Sequence, residues 1–144
     1  MKVLFDTNVV IAAFINSHPA HNRALPWLQK AVKKQIEGLI SVHSLIEIYS
    51  VITRLPLSPK ISTDLALKLI KENILNSFKL ITYSSGDYID LLTSLEKNNI
   101  SGGASYDGLI LWAAVKSRAD KIITLNVDDF IRVSPGLVDK ISEP

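Results

Sequence analysis

The sequence contains no cysteine, so disulfides, thiolate zinc sites and cysteine nucleophiles are all excluded. A chain without thiols suits a reducing compartment, and we expect the protein to be cytoplasmic. No apolar run approaches the roughly 18 residues that a membrane span needs. Asp6 interrupts the apolar start of the chain too early for a signal peptide. We therefore expect no association with a membrane.

An excess of charge of one sign is also lacking. The chain has 16 basic and 14 acidic residues and a net charge of +2, which is too balanced to argue for nucleic acid binding. Any such binding must depend on where individual charges are placed. Hydrophobic residues make up 47% of the 144 residues and charged residues 21%, which predicts an ordinary folded core. This length predicts a single domain over residues 1–144.

Short apolar runs alternate with segments of helical periodicity along the whole chain. The runs predict strands over 3–5, 38–42, 79–82 and 121–125, with a further edge strand over 137–141. Pro26 predicts a kink or a late start in the second helix. Strands separated by single helices form parallel sheets that are covered on both faces, so we predict an α/β fold.

Acidic and amide side chains follow the predicted strands. In parallel sheets, ligands bind outside the carboxyl ends of the strands, so residues just after each strand are the candidates. These residues are Asp6, Glu47, Asp107, Asn126, Asp128 and Asp129. Carboxylates that gather at one edge repel one another unless a cation joins them, and hard oxygen ligands suit Mg²⁺ or Mn²⁺.

Helix capping would account for the same residues without any metal. Asp6, Asp107 and Asn126 all lie at predicted helix starts, where such side chains bond free N–H groups. Ser44 and Glu47 also match the spacing of a capping box. Against capping, Glu47 and Asp107 lie among apolar neighbours, where a lone charge would be costly to bury. The residues by themselves leave capping and a shared metal site equally open.

Four segments of the chain combine a strand end with acidic or amide residues: Val3–Val10 with its Asp-Thr-Asn, Ser41–Leu55 with its glutamate, Ser105–Ile110 with its Tyr-Asp, and Ile123–Phe130 with its Thr-x-Asn and Asp-Phe. In this order they resemble the motifs of PIN-domain ribonucleases. The resemblance extends from Val3 to Ile141. It implies a PIN-like three-layer α/β/α sandwich with a central, mainly parallel twisted sheet.

The resemblance also implies roles for the acidic residues. Asp6 and Asp107 would be the main ligands of a Mg²⁺ or Mn²⁺ ion, and Glu47 would be the third acid, binding the metal or orienting a water. The fourth acidic position of the family falls on Asn126, whose amide brings no charge. Asp129 would then supply the missing carboxylate.

Two further expectations complete the site. Asp128 is a weaker candidate than Asp129, because Asp129 matches the family's Asp-Phe step. Thr7 and Asn126 would contact the metal or the substrate phosphate. The catalytic set is thus Asp6, Glu47, Asp107 and Asp129.

The activity that the resemblance implies is metal-dependent endonucleolytic cleavage of RNA. The short chain is similar to the toxin of a type II toxin–antitoxin pair of the VapBC kind, which implies a cognate antitoxin and a homodimer. We expect the partner to dock in an apolar groove between the helices around residues 27–32 and 48–55. The alternatives are a housekeeping RNA-processing PIN nuclease and a non-catalytic PIN-like RNA-binding module.

Overall fold

The computed structural model describes all 144 residues and contains one five-stranded sheet. The strands are Lys2–Phe5 (β1), Glu37–Ser41 (β2), Lys79–Ile81 (β3), Lys121–Ile123 (β4) and Ile141–Ser142 (β5). Their spatial order is β3-β2-β1-β4-β5, and every neighbouring pair is parallel. The predicted parallel sheet is therefore confirmed, and β1 lies at its centre.

Seven α-helices connect and cover these strands. They are Thr7–Phe14 (α1), His21–Val32 (α2), Val42–Ile52 (α3), Thr63–Ile70 (α4), Ser85–Lys97 (α5), Ala104–Ser117 (α6) and Val127–Val133 (α7). A π-helical turn over Lys71–Leu75 extends α4, and a 3₁₀ helix over Pro135–Lys140 precedes β5. None of the helices has the length and apolar character that crossing a membrane would require.

The central strand has a buried apolar side chain on each face. Val3 and Phe5 pack into a core with α1 to α4, whereas Leu4 packs into a second core with α6 and α7. The register keeps these faces continuous, because Leu4 pairs with Leu39 on one side and with Ile122 on the other. Two apolar cores separated by one sheet give the predicted α/β/α sandwich.

Two local predictions near proline are wrong. The predicted edge strand over 137–141 is mostly 3₁₀ helix, and the edge strand begins only at Ile141. Pro135 stands at the start of that helix, where its missing N–H needs no partner. Pro26 does not delay α2, which begins five residues earlier at His21, so the predicted late start is wrong, whereas the alternative of a kink stays a prediction. Pro26 and Asn22 are both exposed, so water can solvate the carbonyl that loses its helical partner.

The apolar groove that we predicted between the second and third helices is absent. Leu28, Ile48 and Ile52 are buried core residues rather than the walls of an open groove. The reason is that α1 packs against both α2 and α3 and fills the space between them. Helical periodicity showed that these faces are buried, but it did not show which element covers them.

Candidate active site

Asp6 lies at the carboxyl end of the central strand and is almost fully buried. Only 4% of the residue is exposed, in the step where β1 passes into α1. Thr124, just after β4, donates a hydrogen bond of 2.6 Å to Asp6 Oδ2. The same Thr124 oxygen accepts the N–H of Asn126 at 2.9 Å. The residue that follows β4 thus fixes the orientation of the Asp6 carboxylate.

Thr7 links the start of α1 to the acidic residue of α3. Its buried hydroxyl donates to Glu47 Oε2 at 2.8 Å, and Ser44 Oγ lies 2.9 Å from the Thr7 hydroxyl oxygen. Ser44 and Glu47 are three residues apart on α3 and face α1 together. The Thr7 hydroxyl is therefore engaged with Glu47, and it sets the orientation of that carboxylate beside Asp6.

Asp107 lies in the first turn of α6 and is partly buried. Burial raises its pKa, and the negative charges of Asp129 and Glu47 raise it further, while Arg132 opposes the shift. The turn at Gly102, where φ is +62°, allows the chain to enter α6 at this point. Asp107 is thus close enough to the acidic residues of α3 and α7 for both charges to raise its pKa.

A tyrosine anchors α6 beside the carboxyl end of β2. The Tyr83 hydroxyl donates to the carbonyl of Leu109 at 2.9 Å and lies 2.8 Å from Ser41 Oγ. Burial raises the pKa of Tyr83 to about 12, so this donor keeps its proton at neutral pH. The bond fixes the first turns of α6, and with them Asp107, against the sheet.

The pKa of Asp6 is the largest electrostatic consequence of this arrangement. Burial raises it from 3.8 to about 7, against the opposing effect of the Thr124 hydrogen bond, and the charges of Asp107 and Glu47 raise it further. A carboxylate in an apolar setting beside like charges is destabilised in its ionised form. Asp6, Glu47, Asp107 and Asp129 thus form one electrostatically coupled group, which we call the acidic cluster.

The residues after β4 have different surroundings. Asp129 Oδ1 forms a 2.9 Å ion pair with Arg132, and half of its side chain is exposed. Asp128 and Asn126 are exposed, and the Asn126 side chain makes no capping bond to α7. Among these three residues, Asp129 acts on the pKa of Asp107.

Helix capping does not account for this group. Ser41, not Ser44, caps α3 by accepting the N–H of His43, so the predicted capping box of Ser44 and Glu47 is wrong. Strand β2 runs directly into α3, which places the helix start three residues earlier than predicted. Asp6 occupies the N-cap position of α1 but makes no capping bond with its side chain.

Sequence reasoning missed three residues that hold the acidic cluster. Thr124 donates to Asp6, and Ser44 Oγ bonds the Thr7 hydroxyl that holds Glu47. Asn8 Oδ1 accepts the N–H of Leu125 and so ties α1 to the end of β4. Thr124 and Asn8 both lie inside segments that resemble PIN motifs, Ile123–Phe130 and Val3–Val10, so the sequence carried a signal for them. Their partners lie more than a hundred residues away in the chain and became visible only in the fold.

The motif resemblance is confirmed by comparison with known proteins. A family model for the PIN domain matches residues 3–134. The chain belongs to the PIN domain family. Ribonuclease VapC27 of Mycobacterium tuberculosis is 31% identical over 115 residues, which cover 80% of this chain and 78% of that protein. Ribonuclease VapC40 of the same species is 30% identical, over 83% of this chain and 82% of its own.

Solved structures show the same fold. VapBC2 from Rickettsia felis, bound to a DNA fragment from its promoter, has a chain with a TM-score of 0.67 and 22% identity, covering 99% of this PIN domain and 98% of its own length. FitAB bound to the IR36 DNA fragment contains a chain with a TM-score of 0.68 and 16% identity, covering 99% and 94%. The three-layer PIN architecture predicted from the motifs is thereby confirmed.

The acidic cluster of this PIN domain suits a divalent cation by its donor chemistry. Its ligands would be carboxylate oxygens, the type that Mg²⁺ and Mn²⁺ prefer. No three of these side chains close into a group that could hold an ion together. Mg²⁺ commonly keeps several water ligands and takes only one or two carboxylates, so the donor chemistry of these residues suits a hydrated ion that does not need three carboxylates at once. The raised pKa of Asp6 points the same way, because a cation would stabilise its ionised form.

The stability of the metal-free PIN domain should fall as the pH rises from about 4 to about 7. Folding raises the pKa of Asp6, so its stabilising contribution is fully present below its unfolded pKa and is lost as the pH passes through about 7. Asp6→Asn removes this ionisation, so its free energy of unfolding should change little over this pH range. At neutral pH the variant should be more stable than the wild type by on the order of a few kcal/mol. Urea unfolding in EDTA across this pH range measures the effect.

The matched control is Asp90→Asn, because Asp90 is an exposed carboxylate on α5. It should leave the wild-type pH profile unchanged. Parallel profiles for the wild type and Asp6→Asn would mean that Asp6 ionises normally in the folded protein, and the electrostatic account of the site would be wrong.

Proposed function

We propose that this chain is a Mg²⁺- or Mn²⁺-dependent endoribonuclease and the toxin of a type II toxin–antitoxin pair. Ribonuclease activity follows from the family, because relatives that match most of the chain are named ribonucleases of the VapC group. One observation carries the metal-dependent mechanism: the buried carboxylate of Asp6 is coupled to Glu47 and Asp107 at the carboxyl edge of the sheet.

The acidic residues would have different roles at the metal. Asp6 and Asp107 would hold the ion, and Glu47 would bind it or orient a water, held in place by Thr7. Thr124 keeps the Asp6 carboxylate aimed at the site through its 2.6 Å bond. When bound, the cation supplies an activated water and neutralises charge on the scissile phosphate.

Asp129 would complete the acidic cluster in place of the family's fourth acid. Its carboxylate affects the pKa of Asp107, which supports a position near the metal. Its ion pair with Arg132 is half exposed, so it is weak and can rearrange when an ion binds. The exposed side chain of Asn126 would contact the substrate phosphate or a metal-bound water. Thr7 would act through Glu47.

A cognate antitoxin in the cytoplasm would hold the nuclease inactive. The structural neighbours support this partner, because they are VapBC2 and FitAB assemblies. The apolar groove that replaces the predicted one is about 580 Å³ and lies between the end of α1, the loop over 56–61 and α4. A partner helix or strand with apolar side chains would fit there. We also expect a homodimer.

Cleavage of RNA should require the metal and the two central aspartates. The purified protein should cut a structured RNA in Mg²⁺ or Mn²⁺ and should lose this activity in EDTA. Asp6→Asn and Asp107→Asn should each lower the cleavage rate by at least about a hundredfold, because each removes a ligand charge. Asp90→Asn serves as the control and should cleave normally. Persistent cleavage in EDTA, or normal rates in both variants, would refute the assignment.

Asp129→Ala should lower the cleavage rate more than Asp128→Ala does. Asp129 is the neighbour that acts on Asp107, whereas Asp128 is exposed on another side of α7. Neighbouring helical residues point about 100° apart, so one metal site does not take both. Initial rates of the two variants at saturating Mg²⁺ decide the question. Equal losses, or a larger loss at Asp128, would contradict the assignment of Asp129.

Expression of the chain alone should arrest bacterial growth. Coexpression with a small antitoxin gene from the same operon should restore growth, and the purified complex should not cleave RNA until the partner is removed. Leu65→Asp, a change on the exposed wall of the new groove, should weaken the complex but leave cleavage by the free protein intact. If the free protein cuts RNA in vitro but is harmless when expressed, a housekeeping RNA-processing enzyme is the better account.

A further inference from the structure

A stacked pair of aromatic rings lies beside the acidic cluster. Tyr106 and His43 have ring centroids 5.5 Å apart and planes inclined by only 12°. Tyr106 is 58% exposed, whereas His43 is partly buried. His43 therefore supports the inner face of the tyrosine ring, and much of the phenol remains available to another molecule. Aromatic rings prefer offset parallel or edge-to-face contacts, and this pair has the former.

The local sequence places this pair next to two of the carboxylates. Tyr106 precedes Asp107 in the first turn of α6, and His43 lies one turn before Glu47 on α3. His43, Glu47 and Tyr106 line one shallow pocket of about 320 Å³, together with Ile46, Ser50 and Val51. A nucleotide whose phosphate lay at the acidic cluster would have its base beside this pocket.

We propose that Tyr106, supported by His43, is a positioning residue that stacks on a nucleobase of the RNA next to the scissile phosphate. This inference rests on the proposed ribonuclease function and adds to it the conformation of the substrate. A base can stack on a side chain only when it is unstacked from its own neighbours, so the substrate binds as a single-stranded or looped segment. Stacking tolerates every base, because each base has a π-face.

The surroundings of Tyr106 favour a nucleobase over a place in the core or a contact with a second protein. A core residue would be covered, but Tyr106 and the neighbouring Ile46 are 58% and 73% exposed. A second protein seated on these apolar side chains would also cover Glu47, which opens into the same pocket, and would block the site; in the active nuclease the pocket must therefore stay open to the substrate. In an RNA substrate, one nucleotide can supply both a base that stacks on Tyr106 and a phosphate that contacts the metal at the acidic cluster.

Binding of short fluorescent oligonucleotides tests this directly. Fluorescence anisotropy in Ca²⁺, a hard divalent cation that can hold the phosphate in place of Mg²⁺, would compare a ten-nucleotide oligoadenylate with a sugar–phosphate chain of equal length that lacks bases. A gel of the same samples checks that the oligonucleotide stays uncut. Tyr106→Leu should bind oligoadenylate about 5- to 150-fold more weakly than the wild type, since stacking contributes about 1–3 kcal/mol per base. The same variant should bind the chain without bases as the wild type does.

Two matched variants control for loss of structure. Tyr106→Phe keeps the ring and should restore binding to within about twofold. Tyr88→Leu removes another exposed tyrosine of an aromatic pair, on α5, and should leave the affinity for oligoadenylate unchanged. In Mg²⁺, Tyr106→Leu should raise KM for RNA while kcat stays nearly constant, as expected when an interaction is made equally in ground state and transition state.

The possible results are distinguishable. Unchanged oligoadenylate binding by Tyr106→Leu, with RNA cleavage intact in the wild type, would overturn the stacking role and leave the nuclease function standing. A change of oligomeric state in that variant without a change in RNA binding would assign the pocket to a protein contact and also overturn it. If the wild type neither binds nor cleaves RNA, the proposed function fails first and this inference fails with it.

Discussion

The carboxylate of Asp6 is the group on which the rest of the site depends. It is buried at the carboxyl end of the central strand, and its pKa rises to about 7 because of that burial and of the charges of Asp107 and Glu47. An ionised carboxylate in such a place destabilises the fold unless a cation or a proton compensates it. In the absence of a metal, the ionised Asp6 therefore lowers the stability of the fold at the position where the proposed chemistry needs negative charge.

The scaffold holds this unfavourable arrangement by neutral hydrogen bonds rather than by ion pairs. Thr124 bonds Asp6, Thr7 bonds Glu47, and Tyr83 ties α6 to the end of β2. Hydroxyl groups orient the carboxylates without neutralising them, so the negative charge remains available to a metal. The ion pair of Asp129 and Arg132 is at the exposed margin, where solvent weakens it.

Much of this arrangement could be predicted from the sequence, because a parallel sheet brings its carboxyl ends to one edge. That rule located Asp6, Glu47 and Asp107 without any contact being known. Features that depend on long-range packing could not be predicted in the same way. The partner of Thr124 is 118 residues away, and the space beside Ile48 is filled by α1 rather than left as a groove. The start of α3 was misplaced because β2 enters it without a loop, so Ser41 is the cap.

The most direct test of this account is the titration of the Asp6 carboxyl carbon by NMR, with and without Mg²⁺. In the metal-free protein the chemical shift should titrate with a midpoint near 7, as the burial of Asp6 and its charged neighbours require. Saturating Mg²⁺ should move that midpoint well below its metal-free value, because a bound cation stabilises the ionised form. A midpoint that Mg²⁺ leaves in place would contradict the claim that this buried carboxylate holds a metal.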